Sequence, residues 1–114
     1  MIYNPMRRPT AMIRNHILRH TPIGMYRDEA IAVVENNERW GSPVVNMWSG
    51  FIHPTLFVDG PDGLRTRAVV GDQSVQIRHR YSIPFFLDRV VRILWGFDEN
   101  GKLVEVYIHS SFGT

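Results

Sequence analysis

The chain contains no cysteine. That excludes thiol catalysis, cysteine-ligated zinc and a disulfide framework, so packing and hydrogen bonding must hold the fold. No apolar run approaches the roughly 18 residues of a membrane-spanning helix. Pro5, Arg7, Arg8 and Pro9 interrupt the N-terminal stretch where a signal peptide keeps its apolar segment. A cytoplasmic location with no membrane span is therefore expected. Lysine is nearly absent: twelve of the thirteen basic residues are arginine, which fits genome composition better than arginine chemistry. Acids are missing from residues 1–20, where Arg7, Arg8, Arg14 and Arg19 give +4; residues 21–114 hold nine basic and eleven acidic residues, for −2. Catalytic, metal and nucleotide motifs are missing too. Ser49-Gly50 and Ser110-Ser111 lack the elbow context that exposes a catalytic serine.

What is present is ordinary globular material. At 114 residues, 44% hydrophobic and 21% charged, the chain fits one domain, residues 1–114, able to bury a single core. The strongest structural signal is Arg89 to His109. Two runs of β-branched, aromatic and large aliphatic residues flank Asp98-Glu99-Asn100-Gly101, whose Asn-Gly supplies the positive-φ positions of a hairpin turn. A type I turn with Gly101 as the left-handed residue pairs Phe97 with Leu103. That register puts Val91, Ile93, Trp95, Phe97, Leu103 and Tyr107 on one face and Val90, Leu94, Val104, Val106 and Ile108 on the other. Both faces are apolar, which predicts a central hairpin covered by a helix on one side and partly covered on the other. A slip of one residue around the turn would exchange the faces of one strand.

Ahead of the hairpin, Met1 to Pro9 reads as a loose lead-in. Thr10 is placed to cap a helix over Ala11 to His20, with Ile13 and Ile17 at i, i+4, and Thr21-Pro22 ends it. A second helix runs from about Arg27 to Asn37, with Asp28 and Glu29 in its first turn and Ala30, Ile31, Val33 and Val34 as its buried stripe. From Val44 the periodicity turns to strand. Val44 to Phe51, containing Trp48, is a possible first strand, and Pro54 limits how far any strand continues. Thr55 to Val58 and Leu64 to Val70 flank a dense turn signal and suggest a hairpin. Val75, Ile77, His79 and Tyr81 alternate with Gln76, Arg78 and Arg80, a strand with one buried face. Ser82 to Asp88 reads as a loop, and Ser110 to Thr114 as a frayed tail. The fold class is α+β: two N-terminal helices packed on a mainly antiparallel β-sheet of three to five strands.

Three stretches together resemble the BamE/SmpA type of small bacterial domain, whose fold is shared by the β-lactamase inhibitor proteins. Gly24-Met25-Tyr26-Arg27-Asp28-Glu29-Ala30 is similar to the glycine-led entry into that family's helix. Trp40-Gly41-Ser42-Pro43 resembles the Gly-x-Pro stop after it. Trp95-Gly96-Phe97-Asp98-Glu99-Asn100-Gly101-Lys102-Leu103 resembles the family's aromatic strand, Asp-x-x-Gly-Lys turn and following strand. The resemblance implies two helices on an antiparallel sheet of three or four strands, and a binding role rather than catalysis.

Four side-chain groups bear on function. His16 and His20, at i, i+4 on the first helix, have a spacing suited to two metal ligands, but no third ligand is fixed nearby in sequence, so no metal or cofactor is expected. His79, with His53, His109 and Asp72 or Asp88, is the one set from which a small acid/base enzyme is conceivable. The N-terminal arginines are the one charge concentration for nucleic acid, with only Tyr3 interleaved to stack a base; a solvated helix face fits them better. Finally, the aromatic residues exceed what a small core buries. Trp48, Phe51 and Phe85 lie in irregular segments at the sheet margins and are the expected contact residues of a non-catalytic protein-binding module, whose partner is another protein or a second copy.

Overall fold

A computed structural model describes residues 5–61, 63–83 and 87–112. A short 3-10 turn, Pro5–Arg7, leads into α1 (Thr10–His20) and α2 (Arg27–Asn36). Six strands follow: β1 (Val44–Asn46), β2 (Phe51–Asp59), β3 (Arg65–Val70), β4 (Gln73–Ile83), β5 (Leu87–Phe97) and β6 (Leu103–Phe112). They form two sheets rather than one. A four-stranded antiparallel sheet has the order β1-β4-β5-β6, and β2-β3 is a separate antiparallel hairpin. The class is α+β, with both helices N-terminal to every strand.

The helices cover one face of the large sheet. Ile13 and Ile17 of α1, with Ala30 and Val34 of α2, close over Val75, Ile77, Val91, Ile93, Trp95, Phe97, Leu103, Val106 and Ile108. Alternation along each strand produces this set, because successive side chains point to opposite faces. At its centre Trp95 and Trp40 stack with ring centroids 6.4 Å apart, both essentially inaccessible. A buried indole needs an acceptor for its N–H. Thr21 supplies it: Trp95 Nε1 donates to Thr21 Oγ1 over 3.0 Å, and that hydroxyl donates to the Ile17 carbonyl over 2.9 Å. One buried threonine therefore closes the last turn of α1 and satisfies the largest core side chain.

The β5–β6 turn is built as its sequence predicts. Gly101 has φ +77°, and the Asp98 carboxylate accepts from the backbone N–H groups of Asn100 and Lys102. Phe97 pairs with Leu103, but Gly96 pairs with Glu105, so Val104 is an extra residue in β6. That bulge exchanges the faces of the rest of β6. Val106 and Ile108 turn into the helix-side core, and Tyr107 goes to the opposite face beside Leu94, reversing the expected assignment of these three residues.

The N-terminal part also departs from expectation. Met6 is fully buried in the helix-side core, so the chain is anchored there where a loose lead-in was expected; residues 1–4 of that stretch lie outside the described residues. Pro9, not Thr10, stands at the N-cap of α1; no side chain caps the helix, and the Pro9 carbonyl accepts from Met12 and Ile13. Tyr26 likewise precedes α2 without a side-chain cap. Ser110–Phe112 belong to β6, paired with β5 out to Arg89↔Phe112, where a frayed tail was expected. Asp88 lies within β5 opposite Ser82.

The opposite face of the large sheet is covered only in part, by the base of the β2–β3 hairpin. A β-carbon on Gly96 would stand 3.0 Å from the Val70 carbonyl oxygen and 3.0 Å from Phe51 Cε2, so glycine lets the hairpin lie directly on β5. The predicted strand Val44 to Phe51 is thereby divided: β1 ends at Asn46, a turn carries Trp48, and β2 starts at Phe51. β2 runs on through Pro54 because its ladder with β3 shifts register between Ile52 and Phe57, where no N–H is required of a proline.

Candidate functional site

The turn from Asn46 to Gly50 is shaped by one side chain. Asn46 Oδ1 accepts from the backbone N–H groups of Trp48 and Ser49, over 2.9 and 3.2 Å. This asparagine-led turn holds the Trp48 ring away from the sheet, 93% exposed. Val44, Val45 and Met47 beside it are exposed as well, and β1 is open along its whole length.

The β2–β3 hairpin continues the apolar surface. At its base Phe51 packs against Gly96, and the His53 ring lies 4.2 Å from the Tyr107 ring. Towards its tip Leu56, Phe57, Val58 and Leu64 are all exposed, with the Arg65 guanidinium 5.7 Å from the Phe57 ring centroid. A lone two-stranded hairpin is marginal in water, and an exposed apolar patch marks contact sites and aggregation-prone surfaces alike. The molecule measures 51 × 32 × 21 Å, so this surface lies on an elongated body.

The three expected contact residues fare differently. Trp48 is on the surface. Phe51 is 5% exposed and fixes the hairpin to β5, so it is a packing residue and not an anchor. Phe85 lies outside the described residues. Phe57 belongs to the same aromatic group of the sequence as Trp48 and is exposed at the hairpin tip; the residues there that the sequence did not single out are Leu56, Val58 and Leu64. Their exposure follows from how little of the hairpin rests on the sheet.

The histidines are dispersed. His79 faces the helix side of β4, 5.8 Å from the Tyr81 ring, whereas His109, opposite Arg92, and His53, over Tyr107, lie on the other side. Asp88 accepts hydrogen bonds from Arg80 and Ser82, which hold its carboxyl below the ordinary range. Asp72 is near Phe97, at the far end of β4 from His79. The acid/base set considered from sequence is thus not assembled by the fold. Burial, helped by the charge of Arg7, lowers the pKa of His79, and its Nε2 is buried with no hydrogen-bond partner among the described residues.

His16 and His20 do come together, with ring centroids 4.6 Å apart, but each also sets its ring edge-on to Trp40 at 5.6 Å. His20 Nδ1 lies 2.9 Å from the His16 carbonyl oxygen. The pair lids the tryptophan, and no group of three His, Asp or Glu side chains among the described residues is placed to hold a metal. Two of the N-terminal arginines are engaged with different strands, Arg7 beside β4 and Arg14 on β6. Arg7 lies 4.9 Å from the Tyr81 ring centroid, and Arg14 bonds the Val106 carbonyl and Glu105 on β6. Among the described residues no helix is long and apolar enough to cross a membrane. No family model, curated protein or solved structure matches the chain.

Proposed function

We propose that this protein is a non-catalytic protein-binding module whose contact surface is the Trp48 turn together with the apolar tip of the β2–β3 hairpin. The exposure of Trp48 carries the reading: a tryptophan that a hydrogen-bonded turn keeps out of the core offers a large rigid ring at low entropic cost. Val44, Val45 and Met47 widen the patch, and the two open hairpin edges offer backbone for strand pairing. The partial likeness of Gly24–Ala30, Trp40–Pro43 and Trp95–Leu103 to BamE/SmpA-type domains is in keeping with a binding role. A cytoplasmic setting is part of the proposal.

Capture from the host's lysate with three baits tests it. The wild type retains a partner, and Trp48→Ala and Phe57→Ala lose it while their circular dichroism is unchanged. Sedimentation of the purified protein separates a second copy of the chain from a different partner. Equal capture by all three baits would refute the proposal.

A further inference from the structure

The face of the large sheet that the hairpin leaves open carries a row of basic side chains. Arg78 of β4 is the register partner of Arg92 of β5, and Arg92 is the register partner of His109 of β6. Directly opposed residues on one face lie about 5 Å apart, so the row spans about 10 Å across three strands. Like charges directly opposite destabilise a sheet. Among the described residues no carboxylate lies within ion-pair distance of Arg78 or Arg92 to offset this. The acids along these strands are already engaged, Asp88 by Arg80 and Ser82 and Glu105 by Arg14. Among the described residues Arg92 reaches only the neutral Gln76 amide, over 3.4 Å. His109 Nδ1 is buried and has no hydrogen-bond partner among the described residues. The row lies in a groove of about 910 Å³ whose lining includes Ser42, Gln76 and Ser111 and no acid.

The geometry points to a binding site for a phosphate monoester, held between the guanidinium groups of Arg78 and Arg92 and the His109 ring. Guanidinium forks match phosphate oxygens two at a time, and an oxyanion between the two arginines turns their repulsion into shared attraction. A single doubly charged group fits better than a polynucleotide. The flanking positions are Gln76, Leu94 and Tyr107 on one side and the neutralised Arg80, Val90 and Ser111 on the other, so no track of cations continues along the face. Tyr107, the aromatic ring beside the row, is covered by His53 and not free to stack a base. The phosphate is carried either by a small molecule or by a phosphorylated side chain of a protein. The site does not depend on Trp48.

Calorimetric titration at constant ionic strength tests this, with phenyl phosphate and a phosphoserine peptide as probes. The wild type binds at least one probe; preference for phenyl phosphate indicates a small molecule, and preference for the peptide a phosphorylated segment. Arg92→Gln weakens binding about tenfold or more, the loss of one charge-assisted pair. Arg92→Lys, which keeps the charge but loses the fork, falls between the two. Arg65→Gln, outside the row, leaves the affinity unchanged. Removing a like-charge pair leaves the melting temperature of Arg92→Gln equal to or above that of the wild type, so lost binding cannot be attributed to unfolding. Failure of both probes to bind, equal affinity in Arg92→Gln, or tighter binding of oligothymidylate than of either monoester would overturn the site.

Discussion

Replacing Thr21 with valine tests the account of the core most sharply. Valine keeps the shape of threonine but removes the hydroxyl that accepts from Trp95 Nε1 and donates to the Ile17 carbonyl. The carbonyl keeps a partner, because it also accepts the Thr21 backbone N–H at 2.7 Å. The indole N–H keeps none, in a site where Trp95 and Thr21 are both wholly inaccessible. An unsatisfied buried donor costs about 1–3 kcal/mol, so about 2 kcal/mol is expected. In a domain of this size that lowers the melting temperature by roughly 8 °C. Thr21→Ser keeps the hydroxyl and loses one buried methyl, at about 1 kcal/mol. Urea and thermal melts followed by circular dichroism should rank the proteins wild type, Thr21→Ser, Thr21→Val. A valine variant as stable as the wild type, or more stable than the serine variant, would show that the bond to Trp95 contributes nothing.

Met6→Ala should destabilise by about 2 kcal/mol or more in the same urea melts, because the side chain is fully buried in the core. Gly96→Ala should cost about 1–3 kcal/mol by crowding Phe51 and the Val70 carbonyl, and limited proteolysis should show the first new cleavages in the β2–β3 hairpin, with the helix-side core intact. Stability should also fall on mild acidification. Burial and the charge of Arg7 lower the pKa of His79, and burial with the charges of His20 and Arg19 lowers that of His16. Below the ordinary value of 6.5 the unfolded chain takes up protons that the folded chain refuses, so stability is complete above that pH and declines beneath it. Urea midpoints between pH 7.5 and 5 should show the decline, and His79→Gln should make it shallower.

The helices, the β5–β6 turn and the pairing of Phe97 with Leu103 are legible from residue types because each rests on local chemistry: apolar spacing, Asn-Gly, an Asp that can bond the turn. The Val104 bulge is not. β5 and β6 carry apolar residues on both faces, so no polar alternation fixes the register past the turn. Met6 stands between proline and arginine with no periodicity to mark it, and only tertiary packing shows that it is core. Trp48 and Phe51 are three residues apart in similar surroundings, and their opposite fates depend on where β2 begins and on Gly96 admitting it to the sheet. The Arg78–Arg92–His109 row is hidden for the same reason as the bulge. It exists only once the registers of β4, β5 and β6 are known, and without the extra residue in β6 His109 would fall on the other face.

The most direct test of the binding surface uses the tryptophans themselves. Trp40 and Trp95 are buried, and Trp48 alone is open to solvent, so iodide quenching of tryptophan emission reports Trp48. In the free protein one component should be quenched strongly, and it should be missing in Trp48→Ala. With the captured partner at saturation, that component should become protected while the buried pair stays unchanged. If Trp48 remains as quenchable in the complex as in the free protein, the partner docks elsewhere and the proposed contact surface is wrong.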